Sequence, residues 1–141
     1  MSQSVIQESA ARGRRRTRRA TVVAAAAATA AAGWLAGRLA HIDYVIGTPI
    51  GPRSITLAQV SVATAIFGLA GWAVYGLLER YTRRTRPLWT TIAVAVLALS
   101  IAPIFVLPAT IDTRLALTGL HFLAGAVLIP GLPQTRWRST Q

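Results

Sequence analysis

The feature of this sequence that most constrains its fold is a set of four uncharged stretches, each long enough to cross a lipid bilayer. A membrane-spanning helix needs about 20 mostly apolar residues, whereas a surface helix of a soluble protein carries a polar face. Backbone polar groups in lipid must be satisfied within the segment, which favours helices. The sequence therefore predicts an all-α integral membrane four-helix bundle. The uncharged stretches are residues 20–37, 54–78, 87–111 and 115–135.

These stretches divide the 141-residue chain into one transmembrane domain with two short flanks. We expect a disordered, arginine-rich cytoplasmic tail over residues 1–19, the transmembrane domain over 20–132, and a cytoplasmic tail over 133–141. Glycine and proline in "GTPIGP" interrupt helical structure, so they predict an irregular loop after the first span. The predicted spans are residues 20–38, 55–78, 87–107 and 112–130.

The basic residues are distributed unequally along the chain. All 15 are arginine and lysine is absent, which with the high alanine content suggests a GC-rich bacterial genome. Only Arg38, Arg53 and Arg114 would lie on one side of the membrane. Because cytoplasmic loops carry the excess of basic residues, we expect a multi-pass protein of the inner (plasma) membrane with both termini in the cytoplasm. The twelve arginines on that side are Arg12, Arg14, Arg15, Arg16, Arg18, Arg19, Arg80, Arg83, Arg84, Arg86, Arg136 and Arg138.

The segment "RGRRRTRRATVV", which starts at Arg12, has three interpretations. A basic arm could bind a nucleic acid, but it adjoins a span and contains no aromatic residues. A twin-arginine-like export signal is a second interpretation. A retained anchor, held by anionic lipid headgroups, explains the arginines without further machinery and is favoured. We therefore expect membrane lipids as partners and no nucleic acid.

Small residues mark one face of each of the first two spans. Gly33 and Gly37 in the first span, and Gly68 and Gly71 in the second, follow helical spacing. Small residues allow close helix approach in lipid, so these glycines predict helix-packing faces. A ligand groove or the seam of a homo- or hetero-oligomer is the alternative. Trp34 and Trp89 lie near predicted span ends, as in aromatic belts.

Few polar residues could support a site. Pro103 predicts a kink in the third span. The fourth span holds His121, which we expect to face the interior and to bond a hydroxyl or carbonyl group on a neighbouring helix; a proton, ion or ligand role is the alternative. Asp112 and Arg114 could pair at the outer turn. The remaining candidate polar positions are Asp43, near His41 in the outer loop, and Glu79 at the end of the second span.

The sequence contains no recognisable catalytic arrangement. No nucleophile–base pair, phosphate-binding loop or paired carboxylate stands out, and His41 with Asp43 provides too few ligands for a metal site. The absence of cysteine excludes disulfides and thiol chemistry. We therefore predict no enzymatic activity, no metal and no cofactor.

Four segments of the chain carry a further signal: "LAHIDYVIG", "LLERYTRRTRPLWT", "LALSIAP" and "HFLAGAVLIPGL". In these segments the chain resembles a family of small four-span actinobacterial membrane proteins, domain-of-unknown-function family 6069. The resemblance runs from about Ala20 to Leu132 and implies an integral membrane protein without an established activity. It also marks Asp43, Pro103, His121 and Pro130 as positions of interest.

Two functional classes follow. A structural or accessory membrane protein would act through helix–helix contacts with itself or with another complex, which fits the small size and the scarcity of polar residues. A small transporter or channel component would instead use His121 and a helix kinked at Pro103. The two halves of the chain show no convincing internal repeat, which favours the accessory role.

Overall fold

The computed structural model describes residues 3–133, without the side chains of residues 3–6, 8, 11 and 12. Four helices in it are long and apolar enough to cross a membrane, which confirms the predicted all-α four-helix fold. Apart from Pro133, the predicted tail over 133–141, including Arg136 and Arg138, lies outside the described residues. The elements are α1 Gln3–Leu39, β1 Val45–Thr48, β2 Gly51–Ser54, α2 Leu57–Tyr81, α3 Thr85–Val106 and α4 Ile111–Gly131.

The prediction of a disordered tail before the first span is wrong, because α1 is helical from Gln3. Residues 3–19 contain no proline and one glycine, and six of these 17 residues are arginine, which favours helices. Two threonine hydroxyls donate to carbonyl oxygens one turn earlier, Thr17 to Gly13 at 3.2 Å and Thr21 to Thr17 at 3.0 Å. At 1.5 Å per residue, α1 is about 55 Å long and exceeds a hydrocarbon core of about 30 Å.

The end of α1 is fixed by the backbone of His41. This residue has a φ of 60°, in the left-handed region. Its N–H donates to the carbonyl oxygen of Arg38 at 3.1 Å, and the N–H of Ile42 donates to that of Gly37 at 3.0 Å. These two bonds form a Schellman motif, which satisfies carbonyl groups that the end of a helix leaves open.

The segment predicted as an irregular loop is a β-hairpin. Strands β1 and β2 pair antiparallel, with Thr48 opposite Gly51. Gly51 has a φ of 117°, which only glycine adopts at low cost, and the Thr48 hydroxyl donates to its carbonyl oxygen at 2.6 Å. Glycine and proline therefore form a regular tight turn rather than an irregular loop. Pro52 is accommodated because β2 is an edge strand of a two-stranded sheet.

Polar caps define the starts of two later helices. Thr56 and Gln59 form a reciprocal capping box that begins α2. The Thr110 hydroxyl accepts a hydrogen bond from the backbone N–H of Thr113 at the start of α4. In α3, Pro87 occupies the first turn, where its missing N–H would have had no partner within the helix. The helices thus extend over residues 57–81, 85–106 and 111–131, where spans over 55–78, 87–107 and 112–130 were predicted.

The helices form a ring in which each one contacts its two neighbours in the order α1, α2, α3, α4. Two buried clusters fill the ring. We call the end with Tyr44, Leu117 and the hairpin the hairpin end, and the end with Tyr75, Trp89 and Leu132 the arginine end. Between them, Ala26 and Ala30 of α1 are almost fully buried.

Large apolar side chains point outward over most of the bundle. Leu99 on α3 is 75% exposed and Phe67 on α2 is 64% exposed, and many other leucine, isoleucine and valine residues are similar. A contiguous apolar surface of this extent is unfavourable in water. It is the surface expected of a multi-pass integral membrane protein, whose helices face lipid.

Candidate functional site

The arginine end is built around an ion pair that joins α1 to α2. The Arg19 guanidinium donates to a carboxylate oxygen of Glu79 at 2.5 Å, and the two side chains are 10% and 32% exposed. A charge this far removed from water is stable only when paired. The pair therefore ties the two helices together at the level where the bundle ends.

Aromatic side chains complete this end of the bundle. The Arg19 guanidinium carbon lies 5.2 Å from the centre of the Tyr75 ring, within cation–π range. Trp89 of α3 meets Tyr75 edge to face, with 5.7 Å between ring centres. The Trp89 indole N–H donates to the Ile129 carbonyl oxygen of α4 at 3.1 Å. All four helices are thus linked through one contiguous cluster.

Sequence reasoning singled out Glu79 but missed Arg19 as its partner. Arg19 was one of six similar arginines, and nothing local distinguishes it from Arg18. The available signal was position: Arg19 directly precedes the first uncharged run, and Glu79 is the only acidic residue at the corresponding end of α2. The aromatic-belt interpretation of Trp89 is also wrong, because this side chain is 5% exposed and lies inside the bundle.

The hairpin end is organised by Tyr44, which is 2% exposed. Its ring stacks on Trp34, with 5.7 Å between centres and an interplanar angle of 18°. The Trp34 indole N–H donates to the Ile55 carbonyl oxygen at 3.1 Å. Burial raises the pKa of the Tyr44 hydroxyl, and the nearby Arg38 charge lowers it by a smaller amount.

Two hydrogen bonds dock the hairpin and Asp43, which precedes it, onto the turn between α3 and α4 and the start of α4. The Gly47 N–H donates to the Pro108 carbonyl oxygen at 2.7 Å. The Thr113 hydroxyl, fully buried, donates to the backbone carbonyl oxygen of Asp43 at 3.0 Å. The Asp43 carboxylate is 82% exposed and pairs with Arg38 at 2.8 Å. Asp43 therefore acts at this end mainly through its backbone, because an exposed ion pair contributes little.

The polar face of α4 differs from expectation. Arg114 donates to the Leu107 carbonyl oxygen at 3.3 Å, and within residues 3–133 no ion pair joins it to Asp112. The expected bond from His121 to a neighbouring helix is wrong: its Nδ1 lies 2.8 Å from the carbonyl oxygen of Leu117, one turn earlier in the same helix. The partner of Nδ1 therefore lies within α4 itself. Asp112 lies in the first turn of α4, where the helix dipole stabilises a negative charge.

The four glycines of the predicted packing faces all lie against other side chains. A Cβ added at Gly33 would meet Leu120 of α4 at 2.8 Å, and one at Gly68 would meet Val23 of α1 at the same distance. Gly71 lies under the Trp89 ring, 3.0 Å from such a Cβ. Gly37 instead meets the Tyr44 hydroxyl, so its close neighbour belongs to the segment after α1 rather than to a helix.

The remaining sequence-predicted positions are spread apart. Pro103 lies inside α3, three residues before its last residue, Val106, and a kink there stays a prediction. Pro130 lies in the last turn of α4. Among residues 3–133, no group of three histidine, cysteine or acidic side chains could hold a metal ion. The structure therefore gathers interacting side chains into one cluster at each end of the bundle. It does not bring His121 together with Asp43 or Glu79.

The comparisons with known proteins agree with this architecture. No curated protein and no solved structure matches the chain. Residues 9–138 match the Family of unknown function (DUF6069), a match that covers most of the chain. The chain is therefore a member of the Family of unknown function (DUF6069), and its fold is a four-helix integral membrane bundle.

Proposed function

We propose that the protein is a structural or accessory component of the bacterial plasma membrane, which acts through contacts between the outward face of α1 and a second membrane protein or a second copy of itself. The observation that carries the proposal is the composition of this face. Ala24, Ala28, Ala32 and Ala36 follow one another at intervals of four residues, and all four are exposed.

An alanine face is an unusual surface to present to lipid. Leucine and phenylalanine cover the outward faces of the other three helices, for example Phe67, Leu99 and Phe122. Small residues at intervals of four let two helix backbones approach closely, which strengthens packing between helices in lipid. The glycines on the inward faces are already occupied by contacts within the chain, so α1 offers its outward face to a partner.

The proposed orientation follows from charge. Arginines in the first half of α1, at the end of α2 and at the start of α3 lie at the arginine end, where Arg19 pairs with Glu79 and Arg86 donates to the Pro133 carbonyl oxygen. The positive-inside rule supports a cytoplasmic location for this end, with anionic lipid headgroups around the arginines. The hairpin end would then face outward. The lysine-free, alanine-rich composition supports a bacterial source.

The accessory role predicts that α1 is crosslinked to a partner in native membranes. A photoreactive phenylalanine analogue at position 28 should give a discrete adduct, either a dimer or a product that mass spectrometry identifies as another membrane protein. The matched control is position 99 of α3, which is exposed but apolar and bulky. Ala32→Leu should abolish the adduct at position 28. Absence of an adduct there, or equal adducts at positions 28 and 99, would contradict the proposal.

The alternative of a transporter or channel component gains no support from residues 3–133. His121 bonds its own helix. Both ends of the bundle are filled by buried side chains, Tyr44 and Leu117 at one end and Tyr75 and Leu132 at the other. The accessory role is therefore the function that the geometry favours.

A further inference from the structure

An open groove between α1 and α4 lies at the arginine end and is not used by any contact described above. Its volume is about 570 Å³. One part is polar and basic, and the other part is apolar and lies deeper along the bundle. The lining residues are Arg14, Thr17, Arg18 and Thr21 on the polar side and Val22, Ala25, Val127 and Gly131 on the apolar side.

The two arginines of the groove carry uncompensated charge. Arg14 and Arg18 are exposed, lie four residues apart on one face of α1, and have no hydrogen-bond or ion-pair partner among the described residues. Like charges at this spacing repel each other and destabilise a helix. An anion held between the two guanidinium groups would remove this repulsion and accept charge-assisted hydrogen bonds.

The apolar part of the groove determines what kind of anion fits. Gly131 lies so close to α1 that a Cβ there would meet Val22 at 2.6 Å, which closes the floor of the groove. Ala25 is small and exposed, so it leaves open space beside Val127. A hydrocarbon chain could lie along these residues, whereas a free inorganic anion would use only the arginine part.

We propose that this groove binds one anionic phospholipid, with its phosphate between Arg14 and Arg18 and an acyl chain against Ala25 and Val127. The charge complementarity and the order of basic and apolar lining along the groove select this occupant. The inference rests on the proposed orientation, in which the arginine end meets the anionic leaflet. It goes further by assigning a defined site to two of the six clustered arginines.

The test is native mass spectrometry of the full-length protein in detergent, with phosphatidylglycerol or phosphatidylcholine added. Retention of one phosphatidylglycerol and no phosphatidylcholine is expected. Arg14→Gln with Arg18→Gln should weaken retention roughly thirtyfold, the factor that about 1 kcal/mol per arginine predicts. Arg15→Gln with Arg16→Gln removes the same charge from exposed positions outside the groove and should leave retention nearly unchanged.

A second pair of variants tests the acyl-chain part without a change in charge. Ala25→Trp fills the groove and should displace the lipid, whereas Ala126→Trp, at an exposed position of α4 outside the lining, should not. Three results would overturn the proposal: equal losses for the two arginine pairs, equal retention of both lipids, and displacement by inorganic phosphate. Because the measurement is made in detergent on one chain, its failure is separate from failure of the proposed orientation or of the α1 contact.

Discussion

Arg19 and Glu79 are 60 positions apart in sequence and form a 2.5 Å ion pair that closes one end of the bundle. The pair stands against Tyr75, whose ring faces the guanidinium. Since Arg19 is 10% exposed, its charge depends on Glu79 for compensation. Arg19, the last arginine of the charged run, therefore lies inside the bundle, whereas Arg18 is exposed.

Loss of the Glu79 carboxylate should destabilise the bundle. Glu79→Gln would leave a mostly buried guanidinium with a weaker partner, and we expect a loss of about 1–2 kcal/mol in the free energy of unfolding, discounted because Glu79 is partly exposed. Arg18→Gln removes an exposed charge and serves as the control. Reversible unfolding in mixed micelles measures both. A double variant with Arg19→Gln should recover part of the loss; strictly additive losses would show that the pair contributes nothing.

Replacement of His41 by glycine should stabilise the protein. The backbone φ of 60° disfavours a residue with a Cβ, the side chain is exposed, and glycine is the usual residue at this position of a Schellman motif. We expect a gain of about 1 kcal/mol for His41→Gly, and a loss for His41→Val because β-branched residues avoid this region. Thermal unfolding in detergent compares the three proteins. A lower melting temperature for His41→Gly would show that the imidazole, and not the backbone, matters here.

The stability of the protein should fall at alkaline pH through Tyr44. Burial raises the pKa of its hydroxyl in the folded state, so the unfolded state loses this proton first as the pH rises. The contribution is therefore fully present below the ordinary tyrosine pKa of about 10 and is lost as the pH rises through the folded-state pKa. Tyr44→Phe should show a smaller alkaline loss of stability than the wild type. Parallel pH profiles for the two proteins would contradict this.

The hydrogen bond of His121 lies within its own helix, so we expect a substitution of this residue to have little effect on stability. Because Nδ1 bonds a carbonyl oxygen of the same helix, and that oxygen also belongs to the helical ladder, His121→Leu leaves no buried group without a partner. We expect a change of less than about 0.5 kcal/mol, typical of a substitution away from special features. Chemical unfolding would measure it, with Thr113→Val, which removes the hydrogen bond from a fully buried hydroxyl to the Asp43 carbonyl oxygen, as the destabilising comparison. A loss for His121→Leu as large as that for Thr113→Val would reveal a second, interhelical role for the ring.

The sequence was sufficient for the features that depend on local pattern. Uncharged runs predicted the four helices, and helical spacing of Gly33, Gly68 and Gly71 indicated faces that the structure places against other helices. The β-hairpin was missed because its register depends on the positive φ of Gly51 and on docking to Pro108, neither of which appears as a strand pattern. The Arg19–Glu79 pair was missed because a tertiary contact selects one arginine from a run of similar ones.

The helical structure of the N-terminal part of α1 was missed in the sequence for a different reason. A disordered tail was predicted before the first span, but arginine, the commonest residue there, is a strong helix former. The uncharged stretch of α1 is already helical, and the same helix continues from it towards the N-terminus. Helix nucleation, the costly step, is therefore already complete for residues 3–19.

The central claim is that four helices cross the membrane with the arginine end in the cytoplasm and the hairpin end outside. Because the chain contains no cysteine, single cysteines can be introduced at Ile50, 93% exposed in the hairpin turn, and at Tyr81, 79% exposed at the end of α2. In intact cells a membrane-impermeant thiol reagent should label Ile50→Cys, and should label Tyr81→Cys only after permeabilisation. Labelling of Tyr81→Cys in intact cells, or protection of Ile50→Cys, would contradict the account.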